Sequence, residues 1–408
     1  MSSREKINSN LSTLLFVCYF VGYPLLTTLF LPFSSDIEGI TRSITVPFRT
    51  FVLGLSILVI ALNLKNKIKL NKNIYLLFLF WGIYLIRIVY DIYFRNDVFI
   101  LPRFLEATKV YIPLIVLPAM ITTIYSFKYI DFEKALNWMF LALSCIVLLS
   151  VFKNDTWLEA SENLDEKIMG NVAMGSISIG RVALISLIVS LFILKQNHTK
   201  GKIFLSIIII FLSLTILFRA GSRGPILWML SVFLFWYFSR GKDVLIGIFN
   251  VSLILVLFSL FFDQIMNVLY TISPVTYQRF DALIYEGDSS GRDFIYSNAW
   301  NLFLDNPLFG AKYVTDHGGY AHNLFLDSFM GLGIIGGGIF TILFFCALKS
   351  TYTLIHHDAK NLWIGLLLIQ NLAWNMTSGA FYMNQQLSVL LVLVFLEVDR
   401  LKNKNMVE

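Results

Sequence analysis

Ile203-Phe-Leu-Ser-Ile-Ile-Ile-Ile-Phe-Leu-Ser-Leu-Thr-Ile-Leu-Phe218 carries no charge, with Lys200 and Lys202 before it and Arg219 directly after it. With its flanks the run approaches the roughly 20 mostly apolar residues that a membrane-spanning helix needs. It is not isolated. The chain of 408 residues is 57% hydrophobic and only 14% charged, and its mean hydropathy is +0.72. A soluble domain carries roughly 45–50% apolar and about 25% charged residues, so a soluble globular chain is excluded. The 37 Phe, 18 Tyr and 8 Trp, set among so few charges, exclude a disordered one. What remains is an all-α polytopic membrane helix bundle, read as a single membrane domain over 1–408.

Working outward from 203–218, eleven further runs qualify as spans: 12–32, 46–64, 74–94, 104–125, 134–152, 171–194, 225–239, 243–263, 322–348, 361–378 and 384–398. Twelve is an even number, so both termini share a side. The connections alternate in charge. One set is short and basic: Arg4 and Lys6; Lys65, Lys67, Lys69 and Lys72; Lys195, Lys200 and Lys202; Arg240 and Lys242; Lys349 and Lys360; Arg400, Lys402 and Lys404. The loop with Lys128 and Lys134 is weaker, since Asp131 and Glu133 share it. The other set includes the acidic 153–170. The positive-inside rule puts both termini and the basic set in the cytoplasm. Connections near 33–45, 95–103, 153–170, 219–224, 264–321 and 379–383 then face outside. The run from Leu11 to Phe33 is too long for the core of a signal peptide and reads as an uncleaved first span. Cys18, Cys145 and Cys346 lie within apolar runs and make neither a disulfide framework nor a metal cluster.

The outer connection 264–321 is much longer than the rest. Loops of that length are usually functional or disordered, and this one is rich in aromatic residues. Ser290-Gly-Arg-Asp293 resembles a capping box ahead of an amphipathic helix over 291–304. Asn306-Pro307 and Gly310 should end it. A flexible run, Asp316-His-Gly-Gly319, leads to His322 at the mouth of the next span.

Few residues here can carry chemistry. Of five histidines, His198, His356 and His357 fall in inner loops, and His317 and His322 fall outside. Histidine is suited to act as a base near neutral pH, and His322 sits at the membrane boundary. Arg219 and Arg223 enclose Ala-Gly-Ser in a short outer turn, a plausible anion site. Arg292 begins the loop helix. Arg181 lies within the outer half of the sixth span, where a charge is functional by default. Arg87, Asp91 and Arg95 stand at i, i+4, i+8 and should pair with one another in a structural ladder. Gly331-Leu-Gly-Ile-Ile-Gly336 matches a nucleotide fingerprint by letter, but no strand precedes it. Small residues there would let helices approach closely. His356-His357-Asp358 reads as a solvated loop. No phosphate-binding loop is present, which argues against ATP-driven work.

Three stretches together resemble the O-antigen polymerase and ligase superfamily of bacterial envelopes. They are Phe218-Arg-Ala-Gly-Ser-Arg-Gly-Pro225; Ser290-Gly-Arg-Asp-Phe-Ile-Tyr-Ser-Asn-Ala-Trp300 with Asp305-Asn-Pro-Leu-Phe-Gly310; and Ala321-His-Asn-Leu-Phe-Leu326 with Gly331 to Gly336. The resemblance covers roughly the second half of the chain. It implies a GT-C-like, metal-independent, inverting glycosyltransferase of the inner membrane, without a cofactor, acting at the periplasmic face. It implies an undecaprenyl-diphosphate-linked oligosaccharide as donor and acceptor. Membrane lipids, a chain-length regulator and a flippase would be partners, and nucleic acid would not. By motif, His322 is the catalytic histidine and Arg292 with one of Arg219 and Arg223 the essential arginines. Arg181, Tyr320 and Asn323 join them as substrate-binding residues.

The chemistry fits these residue types. A leaving lipid diphosphate develops negative charge, which guanidinium groups stabilise. An acceptor hydroxyl needs a base. The compact aromatic outer loop favours the polymerase over the ligase, because aromatic faces stack on sugars. A lipid-oligosaccharide flippase is the alternative of another class, but it predicts internal repeats and midplane polar residues. The chain shows no clear repeat.

Overall fold

The computed structural model describes residues 3–30, 41–65, 68, 70–152, 175–196, 199–241, 244–287, 291–358 and 360–405. The acidic connection 153–170, His198 and Ser290 lie outside the described residues. Among those described, the regular structure is helical throughout: α1 Ser3–Phe30, α2 Ser43–Asn63, α3 Lys72–Tyr93, α4 Pro102–Tyr129, α5 Phe132–Phe152, α6 Ser176–Lys195, α7 Lys200–Arg219, α8 Arg223–Arg240, α9 Val244–Leu260, α10 Phe262–Ile272, α11 Pro274–Asp281, α12 Arg292–Asp305, α13 Leu324–His357, α14 Leu362–Asn375 and α15 Gln385–Asn405.

Every expected span falls on one of these helices. Among the described residues, eight are long and apolar enough to cross a membrane. A ninth arises if α9 and α10, bent by 71°, count as one. The other three fall short for visible reasons. α14 has 14 residues, about 21 Å against a hydrocarbon core of about 30 Å. α15 carries Glu397, Asp399, Arg400 and Lys402 in its second half. α8 mixes Trp, Tyr and Ser into its apolar run. A bundle of polytopic all-α type is thus present, with the count of twelve resting on sequence.

The chain divides into two compact units: 1–55 with 129–288, and 56–128 with 289–408. The long connection 264–321 is divided between them. In the first unit α6 is buried on nearly all sides, as expected of a helix that is apolar all round. Ser213 donates to Ser186 at 3.0 Å, linking α7 to α6.

In the second unit α13 is not one continuous helix. Gly333 has φ 62°, ψ −159°, and the helix breaks there. The Ile334 N–H donates to the Pro307 carbonyl at 2.7 Å, and the Ala311 N–H donates to the Met330 carbonyl at 2.8 Å. Residues 307–311 therefore pair with the broken turn. A Cβ on Gly333 would lie 2.4 Å from the Leu308 carbonyl carbon, and one on Gly310 (φ 76°) 2.3 Å from that of Gly331. The small residues at 331–336 admit a loop backbone rather than a neighbouring helix, which corrects the sequence reading.

Candidate active site

In the second unit, three connections assigned to the outer side converge on His322. The first is 306–323. Its start is seated on the α13 break. Its middle is gripped by the ladder on α3: Arg87 Nε contacts Asp91 Oδ2 at 3.0 Å, and Arg95 Nη1 lies 3.7 Å from Asp91 Oδ1. Asp91 Oδ2 accepts the Tyr313 N–H at 2.8 Å, and Arg87 Nη1 donates to the Gly310 carbonyl at 3.3 Å. The structural role expected of the ladder holds, and its object is this loop. The run 316–319 is not a loose tether. Gly318 N–H donates to Thr315 O at 2.9 Å and Thr315 N–H to Gly319 O at 2.8 Å. Asp316 N–H donates to Asn298 Oδ1 at 3.0 Å, and Asp316 pairs with Lys312.

The second connection precedes α4: the Leu101 N–H donates to Gly318 O at 3.2 Å. The third joins α14 to α15. Its Tyr382 ring meets that of Tyr320 edge-on, centroids 6.2 Å apart, and Met376 O accepts from Asn323 Nδ2 at 3.1 Å.

His322 has φ 58°, the left-handed region that non-glycine residues seldom occupy. Its two neighbours explain how it is held. Ala321 N–H donates to Asp327 Oδ1 at 2.8 Å. Asn323 caps α13, its Oδ1 accepting from Phe325 N at 2.9 Å and Leu326 N at 3.2 Å. The imidazole lies against Tyr320, ring centroids 4.2 Å apart, and its Nδ1 is buried without a hydrogen-bond partner. Burial, with Arg292 adding its charge, pushes the imidazole down to about 4. At neutral pH it is uncharged, the state in which a base can take a proton.

Arg292 is the first residue of α12, after Gly291 at φ 74° as N-cap. The cap is thus glycine, not the serine of a capping box. Ala299, Leu302 and Phe303 are buried while Phe294, Trp300 and Leu304 are exposed, so the apolar residues of this helix do not gather on one face. Arg292 Nη2 donates to Ser378 Oγ at 3.3 Å. His322, Arg292, Tyr320 and Asn323 are therefore together, with Asn323 engaged in three internal bonds. His317 is exposed beside Phe294, centroids 4.8 Å apart.

Arg181, Arg219 and Arg223 belong to the first unit. A Cβ on Gly180 would lie 2.3 Å from Pro225 and 3.6 Å from Ala220, so α6 carries Arg181 beside the arginine turn. Arg223 Nη1 donates to the Arg279 carbonyl at 3.0 Å, and Thr276 Oγ1 donates to Phe218 O at 2.8 Å. The turn is thereby moored to α11.

The sequence reading missed Asp327 and Arg103. A carboxylate five residues after His322, 2% exposed within a membrane helix, is itself a functional signal. Its Oδ2 has no hydrogen-bond partner. Arg103 stands just outside an apolar window and carries no motif.

These elements define an integral membrane protein with a buried histidine just before a broken helix, α13, and an arginine at the head of a second helix, α12. Residues 208–341 match the model of the O-antigen ligase family. The match runs from the middle of α7, across the arginine turn and through the α13 break, supports the resemblance to the O-antigen polymerase and ligase superfamily, and implies a glycosyltransferase-like enzyme. No curated protein and no solved structure matches the chain.

Proposed function

We propose that the protein is an O-antigen polymerase, extending undecaprenyl-diphosphate-linked oligosaccharide units at the periplasmic face of the inner membrane, with both termini in the cytoplasm. The observation that carries the chemistry is the buried His322 imidazole, its Nδ1 without a hydrogen-bond partner and within reach of the Arg292 charge. His322 takes the proton of an acceptor hydroxyl as its oxygen bonds to the donor's anomeric carbon. The bond from that carbon to the phosphate oxygen breaks, and the lipid diphosphate leaves with the electron pair. Arg292 stabilises the charge that develops, and the single displacement inverts the carbon. Diphosphate entering beside Arg292 offsets the charge that depresses His322 and makes it a better base. Arg219, Arg223 and Arg181 form a second cationic group for anionic substrate, and Tyr320 offers a face to a sugar.

The reading is metal-independent. Among the described residues no three His, Cys, Asp or Glu stand together as an ion site. The matched family model, described as O-antigen ligase, favours a second reading: transfer of the finished glycan to lipid A–core. The lipopolysaccharide ladder of a deletion strain separates the two. Cores bearing one repeat unit are expected for a polymerase, and bare cores would establish the ligase instead.

A further inference from the structure

The site holds a positive charge that no motif announces. Arg103 follows Pro102 at the start of α4, and the bond from Leu101 N–H to Gly318 O fixes that helix start on the loop leading to His322. Phe104 packs edge-on against Tyr320, centroids 5.5 Å apart, and Tyr320 lies against His322. The Arg103 guanidinium lies over the Phe104 ring, 4.7 Å from its centroid, which steadies a cation at little entropic cost. Burial raises the Tyr320 hydroxyl, and Asp327 adds to this. Arg103 and Arg292 both pull it down, so both charges reach the same ring. The Tyr382 hydroxyl, raised by burial, is also pulled down by Arg103.

Elsewhere in this unit arginines are matched with acids: Arg87 and Arg95 with Asp91, and Arg400 with Glu397 and Asp358. Among the described residues neither Arg103 nor Arg292 forms an ion pair, although Glu106 stands one turn beyond Arg103. Arg103 is exposed and Arg292 half-buried, and their two positive charges act on the one Tyr320 ring beside His322 with no acid paired to either, which favours an anion entering there. The geometry points to Arg103 as a second substrate-binding arginine, which with Arg292 grips a phosphate-bearing lipid at the His322 site. Arg103 acts from α4 and Arg292 from α12. The inference rests on the reading of the chain as a lipid-linked glycan transferase. It draws α4 into the site from outside the matched stretch 208–341.

The shared chemistry is a lipid phosphate, from either the donor's diphosphate or an ordinary phospholipid headgroup. Purified full-length protein in a neutral detergent separates them. Binding of undecaprenyl diphosphate is measured for wild type, Arg103→Gln and Arg103→Lys, with phosphatidylglycerol as competitor, and transfer kinetics are run with lipid-linked donor. Loss of a charge-assisted bond should weaken binding and raise the donor KM about 10- to 100-fold in Arg103→Gln. Lysine should restore only part of this, because it lacks the planar fork. Phosphatidylglycerol at equal concentration should not compete, and melting temperatures should match. Wild-type binding and KM in Arg103→Gln overturn the proposal while leaving the transferase reading intact. Equal competition by phosphatidylglycerol overturns it in favour of a headgroup contact. A wild-type protein that transfers no glycan overturns the transferase reading and this inference with it.

Discussion

His322 carries three unusual features together: a left-handed backbone, a ring nitrogen buried without a partner, and a pKa pushed down to about 4 by burial and Arg292. A base acts when unprotonated, so kcat/KM should stay flat from neutral pH down to about 4 and fall below that. Arg292→Gln removes the smaller cause and leaves burial. The acid limb of the kcat/KM profile should therefore rise, yet stay below the ordinary histidine value of about 6.5. An unmoved limb would separate Arg292 from the base. Asp327 holds the peptide before His322 by accepting the Ala321 N–H. Asp327→Ala should cost about 100-fold in turnover by misplacing the ring, whereas Asp327→Asn keeps an acceptor oxygen and should retain more. Steady-state kinetics on purified variants decide this. In the sequence His322 and Arg292 were singled out by the resembling stretches as much as by their places where an apolar run or a helix begins. Arg103 was not, because only folding brings the start of α4 to the turn at Gly318.

At the scale of elements, the break in α13 and the loop at 307–311 form one device. Two separate stretches of the sequence resemblance, 305–310 and 331–336, meet there by backbone hydrogen bonds. Gly333→Ala would force a side chain into a φ of 62° and against Leu308, where its Cβ would lie 2.4 Å from the carbonyl carbon. Backbone strain of this kind costs about 1–3 kcal/mol, so lower melting in detergent and lost transfer are expected. Gly338→Ala, five residues on in the same helix, meets nothing within 4 Å and should be silent in both assays. The glycine spacing was visible in the sequence but not its purpose. Its partner is an irregular loop, which leaves no periodic trace. The helices themselves were legible, since long apolar runs between charged connections are dictated by the bilayer. Their limits at α8, α14 and α15 were not, because length and composition there fall near the threshold for crossing.

At the scale of the whole molecule, the assigned sides are internally consistent. Within the first unit, Lys134 Nζ donates to Asn10 Oδ1 at 2.8 Å and Lys202 Nζ to Asn137 Oδ1 at 3.1 Å, all at ends assigned to the inner side. Within the second, Asn361 Nδ2 donates to Glu397 Oε1 at 2.8 Å at inner ends, while 95–103, 306–323 and 376–383 meet at the outer ones. A cysteine replacing exposed His317 should therefore react with a membrane-impermeant maleimide in intact spheroplasts, and one replacing Lys402 only after permeabilisation. The native cysteines lie within helices and should give little background. The opposite pattern would reverse the orientation and remove the site from the periplasm. The most direct test of the central claim is transfer by purified protein from an undecaprenyl-diphosphate-linked donor, comparing wild type with His322→Ala. Loss of the base should lower the rate by about 10²–10⁴-fold with melting unchanged. Equal rates in a folded variant would contradict the account.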